Sequence, residues 1–438
     1  MPYENEFATG DSLLKLQKSK SLSEFEGVIR ELGDDYEPDP APVKTVSESE
    51  WLPKRVIAID GSNISHRVRN GFPGAEASIV MMSVVFIDIT KLAAIGPDEI
   101  PSPKLFNEMD SAHTLDEVLP GANIVRADLA DDTPTAFFRS KVFDALSGRL
   151  DPAHETLLET LRAISDKKAD IICPIEDCQN AFHLSEGCYD CKCDQKATLF
   201  ETDSFRFHER FNELGSNGEV HGEVRHVLEV LSLVNILRFF SHQDRLHYLR
   251  DCAFVLDGPL AVFGQPAAIA PYVRREIMRI SDICRREFGK DLLIIGVEKS
   301  GQYVSHFEQL DWSDEISGEK FAPRTVLIPD ARYVNRNIVF RPEDAKPSGA
   351  DTYFGRKVLY KTRSGSRAVL NIAMVNEKSA DFTETSSGAF PRLPDALNVL
   401  DHLSTYLYRD GFMPLVRAHA HAAIPLKRGT DIIAGLFE

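Results

Sequence analysis

Apolar and polar positions divide the chain into a polar opening of about fifty residues and a long remainder of alternating strand-like and helix-like stretches. In the opening, Leu13, Leu14, Leu16, Leu22, Phe25, Val28 and Ile29 predict one or two short amphipathic helices. Asp34, Asp35, Glu37 and Asp39, interleaved with Pro38, Pro40 and Pro42, predict a linker. The pattern changes at Arg55. The run Arg55-Val-Ile-Ala-Ile-Asp60-Gly-Ser-Asn63 is apolar and closes on an acid and a glycine, the form of a buried strand that delivers a carboxylate at its end. Residues 77–89 predict a second strand and 157–164 a helix. Residues 220–240 predict a long helix, with Val224, Val227, Leu228, Leu231, Val234 and Leu237 at helical spacing. Cys252-Ala-Phe-Val-Leu-Asp257-Gly-Pro-Leu260 then repeats the strand-to-Asp-Gly theme. A basic helix over 271–290, a strand over 292–297, strand formers over 359–375 and helices over 397–408 and 417–423 complete the pattern. This alternation predicts an α/β or α+β fold, a mixed sheet flanked by helices.

Composition narrows what such a fold does. The 438 residues carry a net charge of −17, whereas a protein that simply coats DNA is basic. Contact with nucleic acid would therefore rest on local basic patches and metal ions. Two patches stand out. Arg274, Arg275, Arg279, Arg285, Arg286 and Lys290 share one helical region. Arg356, Lys357, Lys361, Arg363 and Arg367 are interleaved with Tyr353, Phe354 and Tyr360. The second is the better candidate for DNA, because basic side chains hold phosphates and aromatics stack on bases. Residues 79–95, the most apolar stretch, contain Asp88 and Lys91 and read as a strand rather than a membrane span. No basic segment followed by an apolar one opens the chain, so a cytoplasmic protein is expected.

Five of the seven cysteines cluster as Cys173, Cys178, Cys188, Cys191 and Cys193. In an intracellular chain such a cluster predicts metal before disulfides. Two knuckles about a dozen residues apart wrap one tetrahedral Zn²⁺, so four of these five are expected to form a closed, structural zinc module at about 170–200. The second knuckle is Cys188 with Cys191, or Cys191 with Cys193. The following Thr202-Asp203-Ser-Phe-Arg206-Phe-His208-Glu209 reads as an amphipathic helix with Asp203 as its N-cap. The alternative is a lining for a DNA channel.

Asp60 and Asp257 each suit a turn when taken alone. On neighbouring strands they converge at one edge, repel each other, and call for a divalent cation of the hard kind, Mn²⁺ or Mg²⁺. A third carboxylate is expected from the helix before Asp257. Glu229 sits at the border of its apolar face, while Glu223 and Glu219 face solvent, so Glu229 is favoured over Glu223.

Several motifs in order resemble the NurA nucleases. They are Ala58-Ile-Asp60-Gly-Ser-Asn63, Leu228-Glu229-Val-Leu, Val255-Leu-Asp257-Gly-Pro-Leu260-Ala-Val-Phe-Gly264, Gly296-Val-Glu-Lys299-Ser300-Gly301 and Pro414-Leu-Val-Arg-Ala-His419-Ala-His-Ala422. The resemblance runs from about Arg55 to the C-terminus. It implies an RNase H-like core and a Mn²⁺-dependent 5′→3′ DNA nuclease, with a homodimer and a hexameric HerA ATPase as partners. It further implies residues 51–438 as one nuclease domain, interrupted by a cysteine-bearing insertion at about 100–215 that compact members lack, behind an acidic extension at 1–50. Asp60, Glu229 and Asp257 become the metal ligands. His419, on the family's Ala-His spacing, joins the catalytic set in preference to His421, which points elsewhere on a helix. Lys299, Arg356, Lys357, Lys361 and Arg363 become the DNA contacts. The competing expectation is a scaffold of the same fold that binds DNA or a partner with a decayed acidic site.

Overall fold

The computed structural model describes residues 11–29, 43–69, 74–93, 110–130, 132–165, 170–175, 178, 180–183, 187–193, 197–312, 320–405 and 411–435. The predicted linker over 34–42 lies outside them. The strands of the central sheet are β1 (Lys44–Thr45), β2 (Arg55–Arg69), β3 (Ala75–Asp88), β4 (Asp110–Pro120), β5 (Cys252–Asp257), β6 (Ile294–Glu298), β7 (Thr325–Leu327), β8 (Gly355–Lys361) and β9 (Arg367–Ala373). Their order is β1-β7-β8-β9-β6-β5-β2-β3-β4. The middle strands β6, β5 and β2 run parallel. Everything outside them is antiparallel. The sheet is therefore mixed.

The parallel centre follows from its sequence. Cys252 to Leu256 is buried throughout, as an uninterrupted apolar strand must be when helices cover both faces. Because side chains alternate across a sheet, Ile57, Ile59, Phe254 and Leu256 enter one core with helices α1 (Pro134–Leu146), α2 (Leu157–Ile164), α3 (Gly218–Phe240) and α4 (Ala270–Phe288). Val56, Ala58, Ala253 and Val255 enter the other core with α5 (Leu393–Leu403) and α6 (Met413–Ala422). Helix α7 (Leu426–Gly435) follows, with Ile433 buried against Ile64 and Ile79. Helix α3 is buried from Val227 through Leu237, so it is a core helix rather than an amphipathic one.

In the sheet, two expectations change. The run 359–375 is two strands, β8 and β9, joined by a turn at Thr362–Ser366. Strand β2 does not stop at Asp60. It continues to Arg69 in a long hairpin with β3, while its parallel partner β5 ends beside it. Within the expected insertion over about 100–215, β4 pairs along β3, and α1 and α2 pack in the main core. Strand β4 escaped the pattern reading because an edge strand keeps polar residues on its open side, here Thr114 and Asp116.

The cysteine segment stands apart from the central sheet as two small hairpins, Asp170–Ile172 with Ala181–His183 and Cys188–Asp190 with Thr198–Phe200. Two short 3₁₀ turns, Glu201–Phe205 and Phe207–Glu209, replace the amphipathic helix expected after it. Buried Asp203 receives Arg139 of α1, and buried Glu201 receives Arg162 of α2, so this stretch clamps the hairpins to the core. The extension forms two short helices, Asp11–Gln17 and Lys20–Glu26, with Leu13, Leu14, Leu16 and Phe25 exposed. Among the described residues no helix is long and apolar enough to cross a membrane.

Candidate active site

The register sets the site. Ile59 pairs with Leu256, so the next residues, Asp60 and Asp257, sit side by side where β5 ends. By strand parity both project to the face that carries α6. There His419 Nδ1 donates to Asp60 Oδ2 at 3.0 Å. Ser83 Oγ donates to the Ala418 carbonyl at 3.0 Å, and Ser62 Oγ to that of Ala422, which fixes α6 on β2 and β3. Lys299, in the turn after β6, reaches Asp257 Oδ2 at 2.7 Å.

Glu229 arrives from α3 on the opposite face, and Gly61 is what lets it in. A Cβ at residue 61 would lie 2.5 Å from Glu229 Oε1 and 3.0 Å from Arg225 Cγ. Glu229 is 4% exposed. Arg225, one helical turn before it, bonds both Glu229 Oε1 and the Gly61 carbonyl, the latter at 3.0 Å. His226 Nδ1 lies 3.2 Å from Glu229 Oε2, and its Nε2 lies 2.7 Å from the Ala261 carbonyl. Arg225 and His226 were not singled out from the sequence. Their positions at i−4 and i−3 from Glu229 are the signal that finds them. Glu223 is turned to a different partner, Arg210, and is half-buried rather than solvent-facing, while Glu219 is exposed.

Burial, then the nearby Asp257 and Glu229 charges, push the Asp60 carboxyl up from 3.8 to about 6, against the opposing pull of His419. Carboxylates this near to one another repel, and a positive charge relieves the repulsion. In the protein as described, Lys299, Arg225 and His419 meet part of that demand. The carboxylates are set more loosely than the cysteines. Among the described residues the only His, Cys, Asp or Glu groups that bring three or more ligand atoms within 4.8 Å are Cys173, Cys178, Cys191 and Cys193.

Those four sulfurs could hold a metal ion. Cys178 and Cys191 Sγ are 3.7 Å apart, far from a bonded disulfide and close to the roughly 3.8 Å between sulfurs of a tetrahedral site with bonds of about 2.3 Å. Cys173 and Cys191 each follow a strand of one hairpin and are tied back by backbone bonds to Asn180 and Ala197. Cys188 is exposed and outside the group, so the second knuckle is Cys191 with Cys193.

The expected DNA contacts divide. Arg356, Lys357 and Lys361 are buried, which removes them from a phosphate-facing surface. Arg356 donates to the carbonyls of Pro329 and Glu384. Lys357 pairs with Glu298 beneath the rings of Tyr303 and Tyr353. Lys361 meets Asp311 at 2.5 Å, both fully buried. The reason is position: β8 lies inside the sheet with both faces covered, so its basic side chains need internal partners. Arg363 and Lys299 remain exposed. The patch on α4 is largely spent on local pairs, Arg279 with Glu276 and Arg285 with Asp291.

No family model matches the chain, and no curated protein matches it. Among solved structures it is similar to the crystal structure of the NurA nuclease from Sulfolobus solfataricus, at 11% identity over 97% of this chain and 94% of that one, with a TM-score of 0.30.

Proposed function

We propose that this chain is a divalent-metal-dependent nuclease that cleaves DNA, with Asp60, Glu229 and Asp257 holding Mn²⁺ or Mg²⁺. The observation that carries the reading is Asp60 set beside Asp257 by strand register, with the Glu229 carboxylate lying against Gly61, the residue after Asp60. The strand order β4-β3-β2-β5-β6, antiparallel through β2 and parallel after it, with α3 leading into β5, supports an RNase H-like core over residues 51–438. A divalent ion in such a carboxylate set supplies an activated water and steadies the leaving oxygen of an in-line displacement. The chain's own groups do the rest. His419 holds one oxygen of Asp60, and Arg225 pins Glu229 against β2. Lys299, half-exposed beside Asp257, is placed to offer a charge-assisted bond to a phosphate oxygen. In this reading the four cysteines bind structural Zn²⁺.

The NurA resemblance in the motifs extends the proposal to 5′→3′ digestion of DNA ends by a homodimer fed by a HerA-type ATPase. An acidic chain gains little affinity from counterion release, so a partner that delivers DNA fits its charge. The test is an assay on 5′- and 3′-labelled single- and double-stranded DNA with Mn²⁺, Mg²⁺ or EDTA, with and without the ATPase and ATP. Light scattering of the protein gives its oligomeric state. Cleavage that needs the metal and disappears in folded Asp60→Asn and Asp257→Asn proteins is the expected result. A folded Asp257→Asn protein that cuts at the wild-type rate overturns it. A second reading, a DNA- or partner-binding scaffold, draws on the engagement of two acids by Lys299 and Arg225. It is left standing if no metal supports cleavage.

A further inference from the structure

Beyond the carboxylates, one exposed aromatic beside them has no structural task. Phe263 is 43% exposed, yet it stands on fixed backbone. The Val262 side chain before it is fully buried and its N–H donates to the Thr352 carbonyl at 2.8 Å. Ala261 bridges to Tyr353. Gly264 after it turns the chain at φ +73°, a conformation that L side chains rarely adopt. The Phe263 ring meets Tyr353 edge to face at 5.6 Å. It lies within 13° of parallel to the His226 ring, centroids 6.5 Å apart. His226 in turn touches Glu229. Phe263 is thus one ring removed from a candidate metal ligand. Single exposed apolar side chains are ordinary; a rigid one in this place is not explained by packing.

We propose that Phe263 is the stacking platform for an unpaired base of the substrate, so that the site takes single-stranded DNA or a frayed end in preference to paired duplex. This rests on the nuclease reading and specifies its substrate. An aromatic face stacks on any base without reading sequence, and a base inside a duplex has no free face to offer. Arg225 and Lys299 flank the acids and leave the phosphates to positive charge, so base and backbone are met by different groups. The edge contact with Tyr353 and the fixed backbone on either side of Phe263 restrain the ring, which lowers the entropy lost when a base settles on its exposed part.

The test uses the full chain with a single strand and a blunt hairpin of one sequence, each carrying 2-aminopurine near its ends, bound in Ca²⁺ so that affinity is read without cleavage. Wild type is expected to quench the single strand. Phe263→Ala is expected to abolish that quenching and weaken single-strand binding roughly tenfold, about 1.4 kcal/mol, with hairpin binding changed less than about twofold. Phe263→Trp is expected to keep both the quenching and the affinity. Unchanged single-strand affinity and quenching in Phe263→Ala overturns the proposal, as does an equal loss for strand and hairpin. A protein that binds single strands through Phe263 but cleaves nothing defeats the nuclease reading alone.

Discussion

Gly61 is the residue on which the arrangement of acids turns. Its backbone is ordinary extended strand, so φ does not demand glycine there; proximity to Glu229 does. The nearest atom to an added Cβ is the Glu229 carboxylate oxygen, followed by Arg225 Cγ at 3.0 Å and the Met81 carbonyl at 3.2 Å, so Glu229 and Arg225 must shift together. Gly61→Ala is therefore expected to lower Tm by a few degrees while cutting nuclease activity by about a hundredfold, since misplacing a reacting group by about an ångström costs that much. Gly222→Ala, on the same helix as Glu229 but with only a 3.9 Å contact to Asn63 Oδ1, is the control and is expected to change neither. Thermal melts and the labelled-DNA assay on both variants decide the matter. Equal activity in the two would mean that Glu229 has no place in the reaction.

At the scale of elements, the cysteine hairpins and the central sheet have separate sources of stability. The hairpins have a small apolar cluster built on Cys173, Cys191 and Leu199, too little to fold alone. A metal bound by Cys173, Cys178, Cys191 and Cys193 would supply what is missing, because binding energy is folding energy in modules of this size. Purified protein is expected to contain one zinc per chain by elemental analysis. Cys188→Ser is expected to retain it, and Cys178→Ser to lose it. In the second variant protease should cut within 170–200, while the sheet keeps its melting transition, held by α1, α2 and the Asp203–Arg139 pair. Zinc lost equally from Cys188→Ser and Cys178→Ser, or found in neither wild type nor variants, counts against this assignment.

Across the whole molecule, two histidines buried in different regions tie stability to pH. His221 of α3 sits fully buried between Ser78 Oγ and the Pro120 carbonyl, and burial pulls its pKa from 6.5 down to about 4. His306 sits near Tyr333, 3.0 Å from its hydroxyl, and burial pulls it to about 4 as well. A folded pKa below the unfolded one means that the unfolded chain binds more protons between about 4 and 6.5. The stability is fully present above pH 6.5 and is lost as pH falls through that window, by about 3 kcal/mol per histidine. Melting temperature is expected to drop steeply from pH 6.5 to 4, and the slope to flatten in His221→Asn whatever that change does to Tm at pH 8. An unaltered slope would show that the ring binds its proton equally in the folded and unfolded chain.

The apolar runs by themselves determined the elements that form the middle of the sheet, because a strand covered on both faces must be apolar along its length. Thus 55–60, 252–257 and the long helix before the latter were legible, and with them the acids Asp60, Glu229 and Asp257. Only tertiary structure decided their arrangement, since it depends on which strands are neighbours and in what register. That is how Asp60 comes beside Asp257, how Glu229 comes to lie against Gly61 on the other face, and how Arg225 and His226 join it. The same information separated the basic residues. Read along the chain, Arg356, Lys357 and Lys361 resemble a DNA-binding patch; inside the sheet, each is desolvated and must be satisfied by an internal partner, and Lys361 finds Asp311 fifty residues away. The cysteine spacing fixed that a metal-sized cluster would form. It could not say which four sulfurs meet, because Cys188 and Cys193 both lie within three residues of Cys191 in sequence, and it is the fold that leaves Cys188 exposed and outside the group.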